Sequence, residues 1–206
     1  SDLAETQYLL SMLEDGGYKV QLIDLAHQEI PEDCRLMVIY DPQDDFLVND
    51  GVSNISEIEK LDRFLDGTNS LMVFLNPTTP LLPNLEEYLE EWGIKFDRHT
   101  DNMENVHGTT VRDYNQSLTE DGMTVVGTYA TLGLGASLHK DLRTTYPPKV
   151  IFKNAMGISY SDTYQSVWHT EEDDPTATFS YGSYYKDGVS RSMFDVFVTP
   201  ATATAV

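Results

Sequence analysis

Hydrophobic positions in the first half of the chain follow helical and strand periodicities in turn. Residues 3–15 place leucines on one broad face and stop at two glycines, which predicts a first helix. Leu36–Tyr40 and Leu71–Leu75 are apolar throughout, which is typical of strands covered on both faces. Ser56 opens a Ser-x-x-Glu capping box between these strands, so a second helix begins there, and a third follows Pro83.

Two further segments complete the alternation of helix and strand in residues 1–96. Tyr18–Leu25 alternates apolar and polar side chains, and Ile94–Phe96 follows the third helix, so both are expected to be strands. The spacing of the two fully apolar strands along the chain is about that of a unit in which a crossover helix joins two parallel strands. This order predicts an α/β fold with a layered sheet.

The second half of the chain has no sustained helical periodicity and is predicted to be β-rich. Strands are expected at Met123–Tyr129 and Lys149–Lys153, and a hairpin at Phe179–Tyr185 and Met193–Thr199. We expect one domain over residues 1–206, in which residues 97–206 extend the α/β core formed by 1–96.

Charge changes the picture by excluding whole classes of partner. The 206 residues include 34 Asp and Glu but only 13 Lys and Arg, a formal charge of −21. A nucleic-acid or anionic-lipid binder needs a cationic surface, so neither class fits. No apolar segment reaches the roughly 18 residues of a membrane span. Because the chain begins at Ser1 and not at a Met, we expect it to be a piece of a longer protein.

Polar side chains follow each of the two apolar strands. They are Asp41, Asp44 and Asp45 after the first strand, and Asn76, Thr78 and Thr79 after the second. Ligands of open α/β sheets bind beyond the carboxyl ends of the strands, so this set is a candidate site for a hard cation or a polar ligand. Asp-Pro and Asn-Pro also end strands in ordinary turns, and this alternative stays open.

No catalytic, metal or cofactor site is predicted. The chain has no Gly-x-Ser-x-Gly elbow, and its single cysteine, Cys34, precedes a strand where an elbow nucleophile would follow one. The five histidines lack the spacing of metal ligands. The glycines at Gly133 and Gly135 match neither a P-loop nor a dinucleotide fingerprint. An aromatic cluster at residues 179–185 either packs within its strand or docks a sugar or a protein.

The order of these segments resembles a known family. The segments are Tyr18–Leu25, the Leu36–Pro42 strand, the Ser56–Leu65 helix, the Leu71–Pro77 strand, the Asn84–Ile94 helix, Pro148–Ala155 and Ser166–Thr170. Together they are similar to the auxiliary domain of bacterial ABC-type transport systems, including gliding-motility proteins of the GldG type.

The resemblance implies a fold and a function. The fold would be a three-layer α/β sandwich with a mostly parallel sheet, like class I glutamine amidotransferases or flavodoxins, plus the β-rich C-terminal extension. The domain would be non-catalytic and extracytoplasmic, tethered by transmembrane segments outside this chain. It would dock ABC permease and ATPase subunits, other envelope proteins or a glycan. Two alternatives stay open: an amidotransferase-like hydrolase, and a sensor that binds a small ligand or cation at the strand ends.

Overall fold

A computed structural model gives the fold. It describes residues 3–49, 51, 55–130, 135–136, 149–162, 165–169, 181–186, 189–191, 197–198 and 202–206. The chain divides into two compact units. Unit 1 comprises Ser1–Tyr88 and Thr100–His107, and unit 2 comprises Leu89–His99 and Gly108–Val206.

Three helices occupy the described first half of the chain, at the positions that the sequence predicts. They are α1 (Leu3–Asp15), α2 (Glu57–Asp66) and α3 (Pro83–Glu91). Helix α2 begins as its capping box requires, because Ser56 Oγ accepts a hydrogen bond from the backbone N–H of Glu59 at 3.1 Å. It ends at Gly67, whose N–H donates to the carbonyl of Phe64 at 3.2 Å.

Strands β1 (Leu36–Tyr40) and β2 (Ser70–Phe74) form a parallel pair joined by α2. Val38 lies opposite Met72, so Val38, Met72 and their alternate neighbours share one face of the pair. Met37 and Ile39 lie on the other face and are buried. The buried apolar side chains of unit 1 are Leu25, Met37, Ile39, Leu61, Phe64, Leu82, Leu85 and Tyr88.

Unit 2 is built from short antiparallel pairs. Its strands include β3 (Ile94–Phe96), β6 (Val111–Arg112), β7 (Thr124–Val126), β8 (Thr128–Tyr129), β9 (Ile151–Lys153), β10 (Ile158–Tyr160), β11 (Gln165–His169), β12 (Tyr181–Lys186), β13 (Val189–Arg191), β14 (Phe197–Val198) and β15 (Thr204–Ala205). The antiparallel pairs are β3–β10, β7–β9, β8–β14 and β6–β15, and β11–β12–β13 forms a three-stranded sheet. Two further strands, β4 (Arg98–Thr100) and β5 (Val106–Gly108), pair with each other.

The predicted three-layer sandwich with a mostly parallel sheet is wrong. Among the described residues, β1–β2 is the one parallel pair, and the remaining sheets have two or three strands. The physical reason lies at both ends of the predicted sheet. Ile94–Phe96 forms a strand as expected, but it pairs antiparallel with β10 and does not extend β1–β2.

The strand expected at Tyr18–Leu25 is also absent from the structure. Asp24 instead folds the chain into a turn: its Oδ1 accepts from the N–H of Ala26 at 3.0 Å, and its carbonyl accepts from the N–H of Gln28 at 2.8 Å. Local hydrogen bonds from an Asp compete with extended pairing. Tyr18 and Leu22 are 56% and 81% exposed, so these two positions of the alternating pattern face solvent and not a sheet, while Val20 is half-buried.

Several other expectations can be compared with the described residues. The strand expected over Met123–Tyr129 is two short strands, β7 and β8. The hairpin partner of β12 is β13, whereas the described part of the expected second strand Met193–Thr199 is β14 and pairs with β8. Phe179 and residues 131–134, which include Gly133, lie outside the described residues. The single-domain expectation stays a prediction. No helix in the described part of the chain is both long and apolar enough to cross a membrane.

The interior of unit 1 generates a stability prediction. Leu61 is completely buried, so Leu61→Ala should lower the free energy of unfolding by about 2–5 kcal/mol through lost burial and a cavity. Leu22→Ala, at the 81% exposed position, should change it by no more than about 0.5 kcal/mol. Urea denaturation measures both. Equal effects of the two substitutions would contradict the assigned interior.

Candidate functional site

The carboxyl ends of β1 and β2 lie side by side, as the sequence predicts for the candidate ligand site. The N–H of Asp41 donates to the carbonyl of Phe74 at 2.8 Å, which continues the pairing one residue past β1. Asp41 itself has a φ of 41°, in the left-handed region that non-glycine residues adopt with strain. Its carboxylate Oδ1 accepts a hydrogen bond from the hydroxyl of Thr79 at 2.6 Å.

The residues after β2 form a compact polar turn. Asn76 Oδ1 accepts from both the N–H of Thr78 at 2.8 Å and the hydroxyl of Thr78 at 2.5 Å. Thr79 Oγ1 accepts from the N–H of Asn76 at 3.0 Å while it donates to Asp41. Thr79 is 1% exposed. The buried hydroxyl therefore joins the turn after β2 to the end of β1.

Asp45 has a different partner, the first turn of α3. Its Oδ2 accepts from the N–H of Asn84 at 2.9 Å, and its Oδ1 accepts from the N–H of Leu85 at 3.2 Å. These N–H groups have no partner within the helix, and a carboxylate also interacts favourably with the positive end of the helix dipole. The amide of Asn84 returns a hydrogen bond to the carbonyl of Phe46 at 2.8 Å. The loop after β1 is thus fastened to the start of α3.

The structure therefore unites part of the predicted set. Asp41, Asn76 and Thr78 belong to one network centred on Thr79, Asp45 caps α3, and Asp44 is exposed. Sequence reasoning missed Asn84 as a member. The sequence signal for Asn84 is weak. Asn84 is the second residue of a helix, where backbone N–H groups have no partner within the helix, and nothing else in the sequence indicates its role.

The chemistry of this arrangement is mainly structural. The carboxylates of Asp41 and Asp45 already accept hydrogen bonds from a hydroxyl and from two backbone N–H groups. A hard cation needs several oxygen ligands aimed at one point. Within the described residues, no group of three or more His, Cys, Asp or Glu side chains could hold a metal ion. A ligand role for this set stays a prediction.

Cys34 lies on a separate cavity of about 200 Å³ in unit 1. The cavity is lined partly by Cys34, Lys60, Arg63 and Glu29, and no histidine is among its lining residues. The ammonium of Lys60 is occupied: it donates to the carbonyls of Leu25 at 2.6 Å and Gln28 at 2.9 Å. Binding pockets for small molecules typically measure about 300–1,000 Å³. The cavity at Cys34 is smaller than such pockets. The two hydrogen bonds of Lys60 fasten α2 to the preceding loop.

Hydrogen bonds favour the charged form of two aspartates outside these sites, Asp101 and Asp113. Asp101 accepts from the Asn105 amide, from the N–H groups of Asn105 and Met103, and from His107 Nε2, and these hydrogen bonds hold its pKa far below the usual range. Asp113 is fully buried in unit 2, and the Thr202 hydroxyl, which donates to it at 2.6 Å, lowers its pKa.

The Asp113 contact holds the C-terminal strand in place. Thr202 precedes β15, which pairs with β6, and Val206 exchanges two backbone hydrogen bonds with Thr110 at 2.7 and 2.9 Å. The N–H groups of Asn115 and Gln116 also donate to Asp113. The carboxylate therefore connects the last residues of the chain to the turn after β6.

Comparisons with known proteins add no identity. No family model matches the chain, and neither does any curated protein or solved structure.

The capping role of Asp45 generates a prediction with a neighbouring control. Asp45→Ala should lower the free energy of unfolding by about 1–2 kcal/mol, because two N–H groups of α3 lose their acceptor. Asp44→Ala, one residue away at an exposed position, should change it by less than about 0.5 kcal/mol. Chemical denaturation measures both, and a larger loss for Asp44→Ala would refute the assignment.

The Asp113–Thr202 contact generates a pH prediction. A carboxyl group whose pKa is lowered on folding stabilises the fold above its ordinary value of 3.8, and that contribution is lost as the pH falls through the folded pKa. Thr202→Val should raise the pKa of Asp113 and flatten the fall in stability below about pH 4. Thr202→Ser keeps the hydroxyl and should preserve the profile. Unfolding measured across acidic pH is the test, and identical profiles for the two variants would contradict it.

Proposed function

We propose that this chain is a non-catalytic extracytoplasmic accessory domain of a bacterial ABC-type transport system, similar to the GldG-like gliding-motility proteins. It acts by docking a protein or glycan, and its partners are ABC permease and ATPase subunits or other envelope proteins. Transmembrane segments outside this chain tether it to the cell membrane.

One observation carries this proposal. The polar side chains at the carboxyl ends of β1 and β2 bind one another or the start of α3, through the Thr79–Asp41 and Asp45–Asn84 hydrogen bonds. Side chains that are already paired lose those bonds if they turn to a ligand, which makes a ligand at this edge costly. The exposed surface of the unit stays available to other molecules, and docking uses this surface.

The charge of the chain supports the same proposal. A formal charge of −21 on 206 residues keeps the protein soluble and limits association between copies. It also disfavours anionic polymers as partners. Docking to a surface of opposite charge is the association that this composition favours.

The two alternative functions predict different experimental results. An amidotransferase-like hydrolase needs an activated thiol, so Cys34 would react rapidly with alkylating reagents and Cys34→Ser would abolish activity. A small-ligand or cation sensor would show a rise in melting temperature with its ligand, and Asp41→Ala would remove that rise.

The docking proposal is tested in the native cell. The full-length protein should co-purify with ABC permease and ATPase subunits whose genes lie beside its own, and deletion of this domain should abolish both co-purification and transport. Cys34→Ser should leave both intact, because the thiol has no role in docking. Loss of transport in Cys34→Ser with co-purification retained would instead favour the hydrolase, and co-purification that survives deletion of the domain would refute docking.

A further inference from the structure

One face of the parallel pair β1–β2 is apolar and open. We define the open face as Leu36, Val38 and Tyr40 of β1 with Met72 and Phe74 of β2, which the parallel register places on the same side. Met72 and Phe74 are 41% and 39% exposed, and the three β1 residues of this face are half-buried. On the opposite face, Met37 and Ile39 of β1 are 7% exposed and the β2 residues are half-buried. The rings of Tyr40 and Phe74 lie side by side with centroids 5.8 Å apart.

This exposure conflicts with the composition of the strands. Apart from the exposed Ser70 at the start of β2, both strands are apolar on each face, as in parallel sheets that are covered on both sides. Helices are the usual cover of a parallel sheet, since they lay an apolar stripe across its strands. Met72 adds a flexible thioether side chain that adapts to different packing partners. The open face is therefore shaped for a helix.

The net charge of unit 1 indicates what charge a helix that binds the open face should carry. Unit 1 contains 20 Asp and Glu residues against 4 Lys and Arg, a formal charge of −16, so it carries most of the chain's charge of −21. Its basic residues are Lys19, Arg35, Lys60 and Arg63. Lys60 and Arg63 already contact Glu29 at 3.4 Å. An acidic or neutral helix would gain no electrostatic attraction here.

Exposed acids lie at both ends of β1. Glu32 and Asp33 precede the strand and Asp44 follows it, and all three are exposed. A five-residue strand spans about 16 Å, which a helix covers in about three turns. A partner with apolar side chains at its centre and Lys or Arg at both ends therefore matches the open face and the charges around it.

We propose that the open face binds a basic amphipathic helix of a partner protein. The inference rests on the proposed docking function and names the surface and the chemistry of its partner. A second copy of the chain is a poorer occupant, because it brings the same formal charge of −16 to the contact. Anionic lipid is disfavoured for the same reason.

The test uses the intact chain and two synthetic helical peptides. One has leucines at helical spacing with lysines at both ends, and the other has glutamates in place of every lysine. Fluorescence anisotropy of the labelled peptides should show that the lysine peptide binds at least about tenfold more tightly, and that its affinity falls as salt rises. Equal binding of the two peptides, or binding of neither, would overturn the inference.

Two methionines of unit 1 provide matched variants. Met72→Lys places a like charge within the open face and should weaken binding of the lysine peptide at least about tenfold. Met103→Lys adds the same charge at a 78% exposed methionine elsewhere in unit 1 and should weaken it at most about twofold. Thermal unfolding checks that both variants fold. Equal weakening by the two variants would show that the contact lies elsewhere and would overturn the inference.

The remaining occupants are separate outcomes. Dimerisation that Met72→Lys abolishes, or binding of the chain to anionic vesicles, would each assign the open face to another occupant and refute the basic helix. The native-cell experiment distinguishes the two proposals. Co-purification that persists in Met72→Lys rejects the open face and leaves docking intact, whereas loss of co-purification in Met72→Lys but not in Met103→Lys supports both.

Discussion

The parallel pairing of β1 and β2 is the constraint on which unit 1 depends. It sets two five-residue apolar strands side by side, so that Met37 and Ile39 enter the interior while Met72 and Phe74 face outward. The pairing also brings the two strand ends together, where Asp41, Thr79 and Asn76 bind one another. One backbone arrangement thus creates the buried face, the polar network and the open face.

Several polar residues in the described part of the chain fasten irregular segments. Asp45 fixes a loop to α3, Lys60 fixes α2 to the loop at Leu25, and Asp113 fixes the C-terminal strand to the turn after β6. Short strands bury little apolar surface, so in unit 2 the Asp113 contact helps to hold β15 beside β6. A carboxylate that accepts several hydrogen bonds provides that order without a large hydrophobic core.

Charge and exposure together define how the molecule can interact. Unit 1 combines a formal charge of −16 with an apolar face, so we expect nucleic acid, anionic lipid and a second copy of the chain to be poor partners. We propose that the same combination attracts a surface that is apolar at its centre and basic at its edges. In that proposal, specificity comes from charge, while the apolar side chains supply most of the binding free energy.

The sequence alone determined the local elements of the first half: three helices, the two apolar strands and the capping box at Ser56 all lie where periodicity and capping predict them. It also brought Asp41, Asn76 and Thr78 to one edge, because parallel strands end on the same side. Only the tertiary structure decided that Ile94–Phe96 joins β10 and that Asp45 caps α3. These two outcomes depend on partners that are distant in sequence. The turn at Asp24 is local, but its competing hydrogen bonds leave no periodic signal either.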